Sequence, residues 1–134
     1  MGYRSDVVIA FAFESKEQID EVMAIYRMDH RVQKHGLETA WTIHDWNGVW
    51  GLTYSAESIK WYNEAYEDVQ GVEYMLTVVK QFDDEREEFN YAYRMIRIGE
   101  EDSDIETYNY SNHADLEEVL WDRIALHREI RTDF

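Results

Sequence analysis

Cysteine and proline are absent from the 134 residues, glycine occurs only 6 times, and cations are scarce, with 13 Lys and Arg against 29 Asp and Glu. Without cysteine there is no disulfide, thiolate nucleophile, zinc ribbon or iron–sulfur cluster. The lack of proline, internal repeats and linker-like stretches predicts a single domain over 1–134. Long apolar runs are missing too. The longest near the start is Val7–Phe13, far short of the ~20 residues that a membrane span needs. No small-residue cleavage site follows it, and Asp6 stands where a myristoylation signal requires Ser or Thr. The chain is therefore expected to be cytoplasmic, with no membrane partner.

The formal charge of −16 opposes direct contact with nucleic acid or an anionic membrane. The two nearest basic groupings, Arg27/Arg31/Lys34 and Arg123/Arg128/Arg131, hold three cations each and are interleaved with acids or histidine. At 45% hydrophobic and 15% aromatic, the composition is nevertheless that of a folded core and not of a disordered acidic tail.

Periodicity predicts an α+β fold in the order β-α-β-β-α-β-β-(α)-β, a mostly antiparallel sheet with two main helices packed on one face. Val7–Phe13 is apolar at nearly every position, as in a central strand covered on both sides. Ser15 and Gln18 form a capping-box pattern ahead of a helix carrying Ile19, Val22, Met23 and Tyr26, which continues roughly through Val32 to a stop at His35-Gly36. Asn47-Gly48 signals a tight hairpin. The returning strand from Val49 extends as far as Tyr62, with a bulge or break near Ala56-Glu57. Asp68 is read as the cap of a second helix bearing Val69, Val72, Met75, Leu76, Val79 and Phe82. Its acidic end, Asp83–Glu88, opposes the helix macrodipole and is expected to fray or stay exposed. A strand over 91–98, an acidic turn and a partner strand over 105–110 follow. The last segment fits a short helix from Ala114 and then a strand from Arg123, although residues 121–131 suit either period.

Acids outnumber bases 8 to 5 in residues 1–50, 11 to 5 in 51–100 and 10 to 3 in 101–134. The excess gathers in Asp83–Glu88, Glu100–Glu106 and Asp115–Asp122, segments that would create a steering field if they shared a surface. A solvated acidic surface that only maintains solubility is the plainer reading. The sharper one is mimicry of nucleic acid, with carboxylates at phosphate-like density and Tyr108, Tyr110 and Trp121 placed to stack on guanidinium groups.

Tests for catalytic chemistry give little. His30 and His35 are five apart, off the four-residue step that aligns helical ligands. His44, His113 and His127 are read as surface residues, and the Trp41/Trp46/Trp50/Trp61 hairpin region as core. The acidic turn at Glu100–Glu106 lacks the loop pattern of a dedicated Ca²⁺ site. No phosphate-binding, dinucleotide, nucleophile-elbow or H-E-x-x-H motif occurs, so no cofactor is expected.

The opening Met1-Gly2-Tyr3-Arg4-Ser5-Asp6-Val7 resembles the start of a group of small acidic proteins of tailed bacteriophages. Lys60-Trp61-Tyr62 with Tyr66-Glu67-Asp68-Val69-Gln70, and Arg97-Ile98-Gly99-Glu100 with Asp104-Ile105-Glu106, carry the same resemblance. It covers most of the chain and departs most at Ala114–Glu118. The resemblance implies a phage protein in an infected bacterial cytoplasm and supplies no catalytic residues. The expectation is a non-enzymatic inhibitor of a host nucleic-acid-handling or defence protein, one with a basic nucleic-acid-binding surface. The expected contacts are Asp83, Asp84, Glu87, Glu88, Glu100, Glu101, Asp102, Asp104, Glu106, Tyr108 and Tyr110. The alternatives are a metal-assisted enzyme pairing the acidic turn with His113, and an assembly protein that associates through a sheet edge.

Overall fold

The computed structural model describes residues 3–62, 65–101, 103–126 and 130–134. Strand β1 (Ser5–Phe13) is followed by helices α1 (Lys16–Tyr26) and α2 (His30–His35), a 3-10 turn over Leu37–Ala40, and the hairpin β2 (Thr42–Trp46) and β3 (Val49–Ile59). Helix α3 (Glu67–Glu85), the pair β4 (Tyr91–Ile98) and β5 (Ile105–Ser111), helix α4 (Ala114–Arg123) and two short strands, β6 (Ile124–Leu126) and β7 (Ile130–Thr132), complete the order. The main sheet runs β2-β3-β1-β4-β5, antiparallel at each pairing. β6 and β7 pair only with each other.

β1 is central, and alternation sorts its residues. Val7, Ile9, Phe11 and Phe13 join the core beneath α1–α3, with Tyr26, Trp41, Met75, Tyr91 and Tyr93. Ala10 and Ala12 face the other way, with Ala92 against Leu116 and Leu120 of α4. The two main helices thus share one face, and α4 closes the other.

The local signals act as their chemistry dictates. Ser15 and Gln18 form a reciprocal capping box. Asn47 and Gly48 take φ of 57° and 93°, the left-handed values that this two-residue turn demands. The register of β1 against β3 shifts opposite Glu57–Ser58, with Ser58 at φ 54°, so the expected bulge is present and the strand ends at Ile59, short of Tyr62. Two boundaries differ from expectation. Helix α1 stops at Tyr26, and α2 starts afresh because Asp29 accepts from the backbone N–H of Arg31 and Val32. Tyr66, not Asp68, stands at the cap of α3, while Asp68 accepts from the adjacent Val69 N–H. The acidic end of α3 stays exposed over 84–88, the second of the two expected outcomes, and it does not fray before Glu85, because Arg86 donates its N–H to Phe82, lies 4.8 Å over the Phe82 ring and pairs with Glu21 of α1. The ambiguous region after Arg123 holds the β6–β7 pair, and residues 127–129, including His127, lie outside the described residues.

Candidate functional site

Strands β4 and β5 place the expected contact residues. Gly99 N–H donates to Asp104 at one end of the pair, at 2.8 Å, and Asn112 N–H donates to Tyr91 at the other, at 3.2 Å. The eight residues of β4 lie between them, so the ends are roughly 25 Å apart at the ordinary strand rise. Glu100, Glu101 and Asp104 lie at the turn end. Asp83, Asp84, Glu87 and Glu88 lie at the opposite end, and Asp102 lies outside the described residues.

The turn end is heavily paired. Arg97, 8% exposed, bonds Asp104 at 2.6 Å, Glu106 at 2.9 Å and Ser5 Oγ at 3.0 Å. The two carboxylates hold its guanidinium above the ordinary arginine value, and the same contact holds Asp104 below the ordinary carboxylate value. Glu100 accepts the Arg4 N–H at 2.8 Å, and the Glu101 N–H donates to Tyr3 Oη at 2.9 Å. Burial together with the nearby acids pushes the Tyr3 phenol up. A Cβ at Gly99 would collide with Asp104 and the Tyr3 hydroxyl, so the absence of a side chain there lets the turn close over Arg97.

The opposite end is different. Asn112 Nδ2 donates to Asp83 Oδ1 and to the Phe89 carbonyl, and its Oδ1 accepts from the Tyr91 N–H. One amide therefore ties the end of α3 to the start of α4. Asp84, Glu85, Glu87 and Glu88 are exposed beside that junction, and Asp115, Glu117 and Glu118 follow on α4, with only Glu117 half-buried. None of these seven has an ion pair among the described residues. By contrast, Asp20, Glu21, Asp29, Glu38 and Glu67 on the α1–α3 side are all paired, and Arg27, Arg31 and Lys34 are spent on Glu38, Asp29 and Glu67.

Two of the three expected acidic segments, Asp83–Glu88 and the start of Asp115–Asp122, thus reach the same end of the sheet from its two faces, and Glu100–Glu106 does not. The aromatic expectations divide likewise. Tyr108 and Tyr110 are exposed on β5 at 46% and 42%, but Lys80 Nζ already sits 3.9 Å from the Tyr110 ring. Arg94 lies 4.7 Å over Trp121. The expected surface histidines hold for His30 and His35, while His44 and His113 are half-buried. His44 stacks on Trp46 and Phe134 with centroids at 5.3 Å and bonds Thr53 Oγ1 at 2.8 Å. Burial lowers its basicity, aided by Arg123.

His113 adjoins α4 at the far end of β5 from the acidic turn, so those groups do not form one metal site. Among the described residues no group of three or more His, Asp and Glu is disposed to hold a metal ion, and no helix is long and apolar enough to cross a membrane. Residue patterns alone could not single out Arg97 as the group that neutralises Asp104 and Glu106, since the contact crosses a strand pair. Nor could they single out Asn112, whose role is set by the meeting of three elements. Compared with protein-family models, curated proteins and solved structures, the chain matches none.

Proposed function

We propose that this chain is a non-enzymatic acidic binding protein that inhibits a host nucleic-acid-handling or defence protein by occupying its basic surface, and that it does so in an infected bacterial cytoplasm. The observation that supports the reading is the run of uncompensated carboxylates at the end of the sheet where Asn112 links the end of α3 to the segment before α4: Asp84, Glu87, Glu88, Asp115, Glu117 and Glu118. An acid already paired with Arg97 has little field left to offer, whereas five of these six residues are exposed, Glu117 is half-buried, and none is in an ion pair among the described residues. Carboxylates displayed on a helix end and the adjoining helix can meet several phosphate-binding Lys or Arg groups at once. The partner's bound counterions would be released as they are from DNA sites.

The test is capture from bacterial lysate by the tagged protein, with elution by salt and by duplex DNA, comparing the native chain with a quadruple variant, Asp84→Lys, Glu87→Lys, Glu88→Lys and Glu118→Lys. The expected result is a nucleic-acid-handling partner that duplex DNA displaces and that the variant no longer retains. Retention by the variant, or a partner that duplex DNA fails to elute, would remove mimicry as the mechanism.

A further inference from the structure

Strand β5 is an edge of the sheet, and all seven of its residues are exposed. The bonds from Gly99 to Asp104 and from Asn112 to Tyr91 set the phase of its ladder. Residues 106, 108 and 110 turn their backbone groups toward β4, so the N–H and C=O of Ile105, Thr107, Asn109 and Ser111 point outward. β5 has no Lys or Pro, and its pairing with β4 runs without a register shift. It therefore lacks within the strand the devices that usually protect an edge.

On the α3 side of the strand, cations already serve two of three positions. Arg97 bonds Glu106 at 2.9 Å, and Lys80 covers Tyr110. Tyr108, between them, has no such cation among the described residues. It borders a cavity of about 130 Å³ lined also by Trp61, Tyr93, Met95, Glu73 and Glu106. Trp61, Tyr93 and Tyr108 give it aromatic lining, which suits an ammonium or guanidinium group on a chain of charge −16, and the volume suits one side chain, being well below that of a drug-sized ligand site.

We propose that β5 accepts an extended basic segment of a partner protein as an added antiparallel strand, with one Lys or Arg side chain of that segment filling the cavity beside Tyr108. A second copy of this chain is the poorer occupant. Its β5 sequence, Ile-Glu-Thr-Tyr-Asn-Tyr-Ser, offers no cation, and each copy carries a charge of −16. The site is separate from the acidic end and does not depend on it.

The probe is a capped peptide alternating Lys and Thr, with a Glu and Thr peptide as control, and the readout is amide hydrogen exchange on the full chain. Exchange at Thr107 and Asn109 is expected to slow about tenfold or more with the Lys peptide only. Thr107→Pro removes an outward N–H without touching the β4 ladder, as edge strands tolerate, and should abolish that protection while β4 amides stay protected. Trp61→Ala leaves the edge intact and should weaken the peptide about tenfold. The quadruple Lys variant at the acidic end should bind the peptide as the native chain does. Unchanged exchange at Thr107 and Asn109, equal protection by the Glu peptide, full binding by either single variant, or protection by self-association without peptide would each overturn the proposal.

Discussion

The two faces of the sheet are built from alternate residues of the same strands, and they solve the packing problem differently. Beneath α1–α3 the strands offer Phe11, Phe13, Tyr91 and Tyr93, and the rings of Phe11, Phe13 and Tyr93 stack, tilt or meet edge-on with one another, Trp41 and Phe89 at centroid distances of 5.1 to 6.1 Å. Beneath α4 the same strands offer Ala10, Ala12 and Ala92, a low platform on which a ten-residue helix buries Leu116 and Leu120, with Val119 packed partly buried beside them. The charges lean the same way: Asp20, Glu21, Asp29, Glu38 and Glu67 of the α1–α3 side are paired, whereas Asp115, Glu117 and Glu118 of α4, like the last acids of α3, have no ion pair among the described residues. The heavy face supplies the stability, and the light face is free to carry like charge at a cost that the rest of the fold absorbs.

Removing a ring from the heavy face should produce the largest effect. Phe11 is fully buried and touches three aromatic partners. Phe11→Ala is expected to cost about 3–5 kcal/mol in urea unfolding. The reverse change on the light face, Ala12→Leu, overfills the platform and should cost about 1–3 kcal/mol. It would loosen α4 in hydrogen exchange and leave α1 and α3 protected. Equal loosening of all helices would mean that the faces do not act separately.

Alkali should attack the heavy face alone. Tyr26 donates to the Gly71 carbonyl at 2.9 Å and accepts from Trp41 Nε1 at 3.1 Å. Burial pushes its phenol up to about 12, and burial together with the charge of Glu73 raises Tyr93 as well. A group whose folded value is raised keeps its proton in the native state while the unfolded chain loses it. Its stabilisation is therefore complete below the ordinary value of 10.0 and drains away as pH rises from there to about 12. For Tyr26 the loss is on the order of 2–3 kcal/mol. Thermal melts taken at about pH 8 and about pH 11 should show about half of it, and Tyr26→Phe should flatten the part due to this residue.

Asn112 joins the two faces at their acidic edge. Asn112→Ala leaves the Phe89 carbonyl and the Tyr91 N–H without their amide partner and is expected to cost about 1–2 kcal/mol, with faster exchange at the start of α4. Asn112→Asp should recover only the bond from Tyr91, and it adds a charge beside Asp83.

Much of this organisation was legible in the residues because it is local. The Ser15–Gln18 box, the Asn47-Gly48 turn and the spacing of Ile19, Val22, Met23 and Tyr26 are each set within a few positions, and each forms as its chemistry requires. The break between α1 and α2 was hidden because no Gly or Pro marks residues 27–31; Val32, six residues past Tyr26, falls off the face of α1, and the Asp29 side chain, turned back on Arg31 and Val32, starts the next helix. The site was less legible for a stricter reason. Acid density along the chain counts Asp104 and Glu106 equally with Glu87 and Glu88. Whether a carboxylate is free depends on a cation that arrives from another strand, as Arg97 does.

The smallest effect gives the sharpest form of the comparison, because its sign differs between the faces. On α4, Glu118 is three residues from Asp115 and four from Asp122, so like charges adjoin on one helical surface, each such pair destabilising by about 0.2–0.5 kcal/mol. Glu118→Lys turns both pairs attractive and should raise stability by a few tenths of a kcal/mol or somewhat more at low salt. On α1, Asp20 lies 3.9 Å from Lys16 in an i,i+4 pair, and Asp20→Lys should lower stability by about as much. Both shifts should shrink as ionic strength rises toward about 1 M, where the screening length falls to roughly 3 Å. Opposite signs at low salt that merge at high salt would mean that α4 gives up stability to display its charge, as a surface meant for a basic partner must. A fall in both variants would mean that the acids of α4 support its fold, and the contrast between the faces would then be one of packing alone.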